Sequence, residues 1–431
     1  MAEATSCRHP HRPAFTGDTI PPMRKFPLII KLLIALAGVL FLAVLVYQLP
    51  PVNDRLSWRM DIAKTYLRNV ISPAGELPTP QASPLAINTS TPSPIPQPPP
   101  VSAITVTHTP SQTPLPASVI LTPPKWERQG MNNCGPASLS MYLHYYGWEG
   151  NQYDISKMIK PAQEDRNVNV EELAYYTSMH AGWLSVQYRV GGTINLLKQL
   201  LVAGYPMMIE EGFHLPPPAW FNDDLWSAHY LLITGYDNAA GVFISQDSYH
   251  GRDQKVLYEL LDKNWQVFNR VYILLYPLDQ ENTIMAILGP DWNADINRQN
   301  ALTTAQAEAQ ANPDNAFTWF NQGTNLVYFE RFTDATAAFD KARELGLPQR
   351  MLRYQFGPFI ADFQAGRNED LLELTKYALK RTPNSEEALL WQGWALYRLG
   401  KVAEARTYFK AALDANHYYS DAVYALDFIK D

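Results

Sequence analysis

Cys134 lies in the run Gln129-Gly-Met-Asn-Asn-Cys134-Gly-Pro-Ala-Ser-Leu-Ser-Met141, a setting in which a thiol could act as a nucleophile. The 431 residues hold only one other cysteine, Cys7, which precedes a membrane-type apolar segment, so a disulfide between the two is not expected. An isolated cysteine is more often a small buried hydrophobe than a nucleophile, but the neighbours of Cys134 argue otherwise. Asn133 and Gly135-Pro136 are turn and helix-start residues, and Ala137 to Tyr146 reads as a helix with Ala137, Met141 and Tyr145 on one face. Cys134 then sits at a helix N-terminus, where free backbone N–H groups and the positive dipole end favour the thiolate and lower its pKa below about 8.5. The same amides suit an oxyanion.

A nucleophilic thiol needs a base, and nine histidines are available. His9, His11 and His108 fall in the N-terminal tail or a proline-rich stretch, His417 near the C-terminus and His144 on the helix that Cys134 would start, which leaves His180, His214, His229 and His250. His229 opens His229-Tyr-Leu-Leu-Ile-Thr-Gly235, an apolar run that reads as a buried strand; Tyr236 to Gly241 reads as a turn and Val242-Phe-Ile-Ser-Gln-Asp247 as a second strand. A hairpin centred near Asn238 sets His229 opposite Asp247, with Cβ atoms on the order of 5 Å apart on one face. A one-residue slip would separate them. Cys134 as nucleophile, His229 as base and then acid, and Asp247 as the group that orients the imidazole make up a cysteine acyl-transfer set. Gln129 adds a side-chain amide that could donate to an oxyanion beside the Cys134 N–H, although a solvated loop glutamine is the simpler reading of that residue alone.

These residues together, Gln129 to Met141, Ala228-His229-Tyr230 with Gly235-Tyr236-Asp237, and Gln246-Asp247-Ser248, resemble the papain-like cysteine peptidases of family 39. The likeness covers about residues 125 to 279 and is closest to the stand-alone branch, in which Asn-Asn-Cys-Gly-Pro-Ala-Ser-Leu is a usual form of the cysteine motif. It implies an α+β papain-like peptidase domain, with an N-terminal helical part led by the Cys134 helix and an antiparallel sheet carrying His229 and Asp247. By the same likeness Cys134 corresponds to the nucleophile, His229 to the base, Asp247 to the orienting acid and Gln129 to the oxyanion glutamine. Transporter-fused members carry that glutamine six positions before the cysteine and an aspartate directly before it, whereas here the gap is five and Asn133 takes that place. No Gly-x-x-x-x-Gly-Lys-Ser/Thr phosphate loop occurs, so the double-glycine leader substrate of those members does not carry over.

Around this core the chain reads as modular. Residues 26–49 are long and apolar enough to span a bilayer core of roughly 30 Å, with Lys31 near one end, and read as a single transmembrane anchor; a cleaved signal peptide is the alternative. Basic residues flank this segment on both sides and give only a slight lean in orientation. Residues 1–25 are expected as a cytoplasmic tail. Leu56, Met60, Ala63, Leu67 and Val70 recur at helical spacing within 52–72, as in an amphipathic juxtamembrane helix or a self-association seam. Residues 73–124 hold 15 prolines and carry no charged residue beyond Glu76, as in an extended extracytoplasmic linker. The expected location is a bacterial cell membrane, single-pass, with everything after the anchor outside.

Residues 300–431 repeat. Trp319, Gly323, Ala335, Phe339 and Ala342 fit tetratricopeptide (TPR) spacing, as do Gly393, Gly400, Ala405, Phe409 and Ala412, with a degenerate copy keeping Gly366, Ala378 and Pro383. An all-α TPR solenoid is expected, capped by a helix over Ala301 to Ala311, with a peptide or protein partner. The net charge of −7, without a basic stripe, gives no support for nucleic-acid binding. No metal-ligand spacing appears and no cofactor is expected. Glu210-Glu211 could line a cleft for basic substrates, but a solvated strand end is the simpler reading. The whole reads as a membrane-anchored cysteine peptidase acting on a peptide or protein. Two other classes fit the same residues: a catalytically silent papain-like binding or scaffold protein, and an acyltransferase passing the thioester to an amine.

Overall fold

The computed structural model describes residues 28–73, 75, 77–80, 114–160, 168–216 and 224–430. Cys7, the expected tail 1–25 and residues 81–113 of the expected linker lie outside the described residues. The chain forms two compact units, Met1–Ser57 and Trp58–Asp431.

In the first unit, α1 (Leu28–Tyr47) is a 20-residue helix of mean hydropathy 2.9 with no buried residue. Among the described residues it is the one helix long and apolar enough to cross a membrane. The next helix, α2 (Pro50–Ile71), runs into the second unit. There its expected apolar stripe faces outward, with Met60, Leu67 and Val70 about half exposed at 47%, 59% and 55%, while the polar Thr65 and Asn69 are buried. The polar face is held by polar contacts: Arg381 Nη1 donates to Asn69 Oδ1 (3.3 Å), and Arg68 Nη1 donates to the Arg381 carbonyl (3.3 Å). Just beyond, Tyr377 donates to Gly75 O (3.1 Å) and Leu77 is buried, so the start of the stretch read as a linker is docked on the C-terminal helices.

The centre of the second unit is an antiparallel sheet. Its elements are β1 (Ser118–Ile120), α3 (Cys134–Tyr145), α4 (Gln152–Ile159), α5 (Val170–His180), β2 (Leu184–Arg189), α6 (Ile194–Val202), β3 (Met207–His214), β4 (Trp226–Asp237), β5 (Val242–Asp247), β6 (Gly251–Leu257), α7 (Tyr258–Gln266), β7 (Tyr272–Pro277) and α8 (Glu281–Leu288). The strands run β2-β7-β3-β4-β5-β6, and β1 pairs the far end of β4. β1 falls inside the stretch read as a linker because Gly235 lets it approach: a Cβ there would stand 2.7 Å from Val119 O.

Alternation along the strands divides the sheet between two cores. Met208, Tyr230, Leu232, Ile273 and Leu275 meet Leu139 and Tyr142 of α3 and Leu173 of α5. On the other face Ile209, Leu231, Ile233 and Leu274 meet Leu197 and Leu201 of α6, Trp265 of α7 and Ile284 of α8. Tyr142, buried by this packing, donates to Pro206 O and accepts from Leu275 N (2.8 Å), fixing α3 across β3 and β7.

After the sheet come α9 (Ala294–Ala311), α10 (Ala316–Tyr328), α11 (Phe332–Leu345), the short α12 (Met351–Tyr354), α13 (Gly357–Gln364), α14 (Asn368–Arg381), α15 (Glu386–Arg398), α16 (Val402–Ala415) and α17 (Ser420–Phe428). Consecutive helices pack in pairs, α10 with α11, α13 with α14 and α15 with α16. The same device closes the first and last pairs. Added Cβ atoms at Gly323 and Gly393 would stand 2.5 Å and 2.4 Å from the rings of Phe339 and Phe409, so each glycine is the slot for an aromatic ring of the partner helix.

Candidate active site

Cys134 is the first residue of α3, half-buried and free. The loop before it turns through Asn132 at φ 54°, a left-handed conformation that asparagine tolerates better than most side chains. Gln152, buried at the start of α4, organises this loop. Its Oε1 accepts from Gly130 N (2.7 Å) and Asn133 Nδ2 (2.8 Å), and its Nε2 donates to Arg128 O (2.7 Å) and Glu127 Oε1 (2.9 Å). Glu127 Oε2 in turn accepts from Ser140 Oγ of α3 (2.6 Å), tying the loop to the helix that presents the thiol.

His229 is buried on β4, and its ring stands between two partners. Nε2 lies 2.9 Å from Asp247 Oδ1, and the Cys134 thiol is near enough to act on the imidazole through its charge and hydrogen-bonding capacity. The hairpin register differs from direct opposition. Leu232 pairs with Gln246, so continuing the ladder sets Asp247 opposite Leu231, with His229 one diagonal away. The turn pairs Asp237 with Val242, a frame that would set Asp247 opposite Leu232 and on the other face from His229; the one-residue bulge between Ile233 and Gly235 moves it to Leu231 and so brings both side chains to one face.

Asp247 is saturated with donors. Its Oδ1 also accepts from Tyr249 N (2.7 Å) and His250 N (2.9 Å), and its Oδ2 lies 2.7 Å from His250 Nδ1. Burial alone would raise this carboxyl, but the bonds from His229 and His250 hold it well below the usual carboxylate range. The fixed negative charge acts on the imidazole. Burial disfavours the His229 cation, yet the bonds to Asp247 and Cys134 reverse that, and its pKa is pushed up to about 10. For Cys134 burial likewise disfavours the charged form, and the hydrogen bond and charge of His229, followed by the backbone bonds of Tyr230 and Gly135, bring the net shift down. The pair therefore favours thiolate beside imidazolium. The Gly135 amide contributes as a helix N-terminal donor.

Gln129 is held beside these groups by Ser248. Gln129 N donates to Ser248 O (2.9 Å) and Ser248 Oγ donates to Gln129 Oε1 (2.9 Å), which leaves the amide NH2 as the available donor end. Trp126 Nε1 donates to Asp247 O (2.9 Å), so the segment before the cysteine is stitched twice to the end of β5. The structure thus brings Cys134, His229 and Asp247 together and places Gln129 on the adjoining loop.

Other residues are where sequence reading did not put them. Glu210 and Glu211 are buried, not a solvated strand end, because β3 lies inside the sheet and is packed by both α3 and α7, although its pairing with β7 stops at Ile209. Burial, reinforced by the Cys134 charge, raises Glu210 well above the ordinary carboxyl range, against a bond from Tyr230. Glu211 stands opposite His229 in the ladder and is raised to about 7 by burial. The ring of Phe213 packs 5.0 Å from that of His229. His180 stacks on Tyr176 and His214 is exposed at the end of β3, so neither joins the site, whereas His250 does through Asp247. Among the described residues no group of three or more His, Cys, Asp or Glu could hold a metal ion.

Residues 117–275 match the Peptidase_C39 like family. The match spans a little over a third of the chain and includes β1, all four residues above and most of the sheet. This C39-like domain with its antiparallel sheet is followed by the helical C-terminal region. Similar solved structures include a C39-like peptidase from Bacillus anthracis, at 17% identity and TM-score 0.29 over 37% of this chain and 97% of that one. Xylellain, a cysteine protease from Xylella fastidiosa, aligns at 16% identity and TM-score 0.31 over 40% and 91%. YrrB, a TPR protein with an unusual peptide-binding site, aligns at 20% identity and TM-score 0.28 over 31% and 67%. Comparison with curated proteins returns no match.

Proposed function

We propose that this chain is a membrane-anchored cysteine peptidase that hydrolyses a peptide or amide bond through Cys134, His229 and Asp247. The observation that carries the reading is His229, buried, bonded to Asp247 and close enough to Cys134 for each to shift the other's proton affinity, within a segment that matches a peptidase family. The thiolate of Cys134 attacks the scissile carbonyl carbon; a C–S bond forms and the carbonyl electrons move to oxygen. The Cys134 N–H and the Gln129 amide hold that oxyanion. His229 gives its proton to the leaving nitrogen as the C–N bond breaks, leaving a thioester and a neutral imidazole. Water then attacks the thioester with its proton taken by His229, the acid is released and the thiolate–imidazolium pair is restored. Asp247 keeps its charge throughout and fixes the ring.

The remaining modules follow this core. Residues 26–49 anchor the chain in a bacterial cell membrane after a cytoplasmic tail over 1–25; 52–72 form the juxtamembrane helix, and 73–124 are the linker apart from the pieces that dock. The peptidase over 125–279 and the helical repeats over 300–431 work outside the membrane. The α10–α11, α13–α14 and α15–α16 pairs, with their Gly323–Phe339 and Gly393–Phe409 slots, support TPR-like repeats that bind a peptide or protein.

The test is hydrolysis of a broad peptide library by the full chain and its Cys134→Ala variant. Turnover in the parent and none in the variant is expected. Equal turnover in both, or tight peptide binding with no turnover in either, would overturn the assignment, the latter in favour of a binding module. Adding primary amines separates hydrolysis from acyl transfer, since a transferase would divert most of the acyl group to the amine.

A further inference from the structure

The helical repeats make a buried contact with β4 immediately before His229. Residues 224 to 227 enter β4 through Leu225, whose φ of 60° is an uncommon conformation for a leucine and must be held by its surroundings. Part of that hold is local: Asp224 Oδ1 accepts from Trp226 N (3.1 Å), and Leu225 O accepts from Leu215 N (2.8 Å). A further part comes from α12 and the turn before it. Gln349 N donates to Asp224 Oδ2 (2.7 Å), and Arg350 Nη1 reaches Asp224 Oδ1 (3.5 Å) and donates to Trp226 O (3.0 Å). The hydroxyls of Tyr354 and Ser227 are 3.1 Å apart, and the Tyr354 ring meets Trp226 edge-on at 5.8 Å. Trp226 is clamped from its other side by Phe268 at 6.0 Å. Arg350, Tyr354, Trp226 and Ser227 are all buried.

Burying an arginine is costly unless its charge and donors are met. Here the partners include a carboxylate and a backbone carbonyl at the start of the strand, so the arginine favours the present path of residues 224 to 226. His229 follows two residues after Ser227 on the same strand, in the stretch from Trp226 to Ile233 that is paired without interruption to β3. A displacement at Trp226 is therefore passed to the imidazole, which must keep contact with Cys134 and Asp247 at once.

We propose that Arg350 and Tyr354 of the helical repeats are positioning residues for His229, and that the repeats are a structural part of the active site. The proposal rests on the Cys134–His229 reading above. It gives the repeats a role independent of any bound partner: they set the geometry of the base.

The test uses the full chain and follows alkylation of Cys134 by iodoacetamide across a pH series, with peptide mass analysis to separate Cys134 from Cys7. Arg350→Met should slow Cys134 alkylation near neutral pH by about ten- to a hundredfold, the scale of a misplacement of the order of 1 Å, and move the pH profile toward that of His229→Ala. Asp224→Asn should act in the same direction, and Arg350→Lys, which keeps the cation, should recover part of the rate. Tyr354→Phe removes one hydroxyl from a retained ring and should fold; a several-fold loss is expected, in kcat and not KM where a peptide substrate is turned over. If Tyr354→Phe and every folded Arg350 variant alkylate with the parental profile while His229→Ala does not, the proposal is overturned and the dyad stands. If His229→Ala itself keeps the parental profile, the catalytic reading falls and the proposal falls with it.

Discussion

Glu211→Gln tests how the site treats buried charge. Glu211 is buried opposite His229 in the β3–β4 ladder, with Asn264 Nδ2 3.4 Å from one of its oxygens. Burial, opposed by His229 and Asn264 and assisted by Asp247, pushes its carboxyl from 4.5 up to about 7. The folded chain therefore keeps a proton that the unfolded chain releases between those two values. Stability must fall as pH rises through that window and level off above it. At about 1.4 kcal/mol for each pH unit, the full loss is about 3 kcal/mol. Glutamine has the same shape, does not titrate and can still accept from Asn264. Thermal unfolding of parent and variant, followed by circular dichroism from about pH 5 to about pH 8, should thus begin with similar stabilities and end with the variant ahead by about 3 kcal/mol. Parallel pH curves would refute the reasoning, because they would mean that Glu211 titrates alike in the folded and unfolded chains.

Three further outcomes are expected. Asp247→Asn keeps an acceptor for Tyr249 N and His250 N but removes the charge beside His229, and should lower kcat by about 10²–10⁴ in a peptide-hydrolysis assay with KM little changed. Ser248→Ala frees the Gln129 amide and should lower kcat by about tenfold, less than the 10²–10³ expected of Gln129→Ala if that amide donates to the oxyanion. Gly393→Ala puts a methyl group 2.4 Å from the Phe409 ring and should destabilise the chain by about 1–3 kcal/mol in denaturant titration, with Cys134 alkylation of the folded protein unchanged.

Local signals were legible in the sequence and long-range ones were not. The helix start at Cys134 is written in Asn133 and Gly135-Pro136, and the β4–β5 hairpin in its apolar runs and turn, so both elements appear where they were expected. The hairpin register was legible only in parity: the bulge at Gly235 shifts it, and nothing in the local pattern announces a bulge that accommodates β1. Gln152 and Glu127 could not be found from spacing, because they meet the cysteine loop through α4, a different element. His250 lies three residues beyond Asp247 in an Asx-type turn, a signal that the sequence did contain. A charged pair usually marks a solvated edge, whereas Glu210 and Glu211 are buried by the α3 and α7 packing on β3, a long-range contact that local pattern does not reveal. The apolar stripe on α2 is legible and stays exposed, whereas the contact of its polar face with Arg381 is long-range and has no local signal.

The central claim, that His229 holds Cys134 as a thiolate, is tested most directly by titrating the ultraviolet thiolate absorbance of the full chain against its Cys134→Ser variant. The difference signal should rise with a midpoint below the ordinary thiol value of 9.0, because His229 and the α3 amide outweigh burial. It should stay flat until His229 deprotonates at about 10. In His229→Ala burial acts with less opposition, and the midpoint should move upward. A parental midpoint at or above 9.0, unmoved by His229→Ala, would contradict the account.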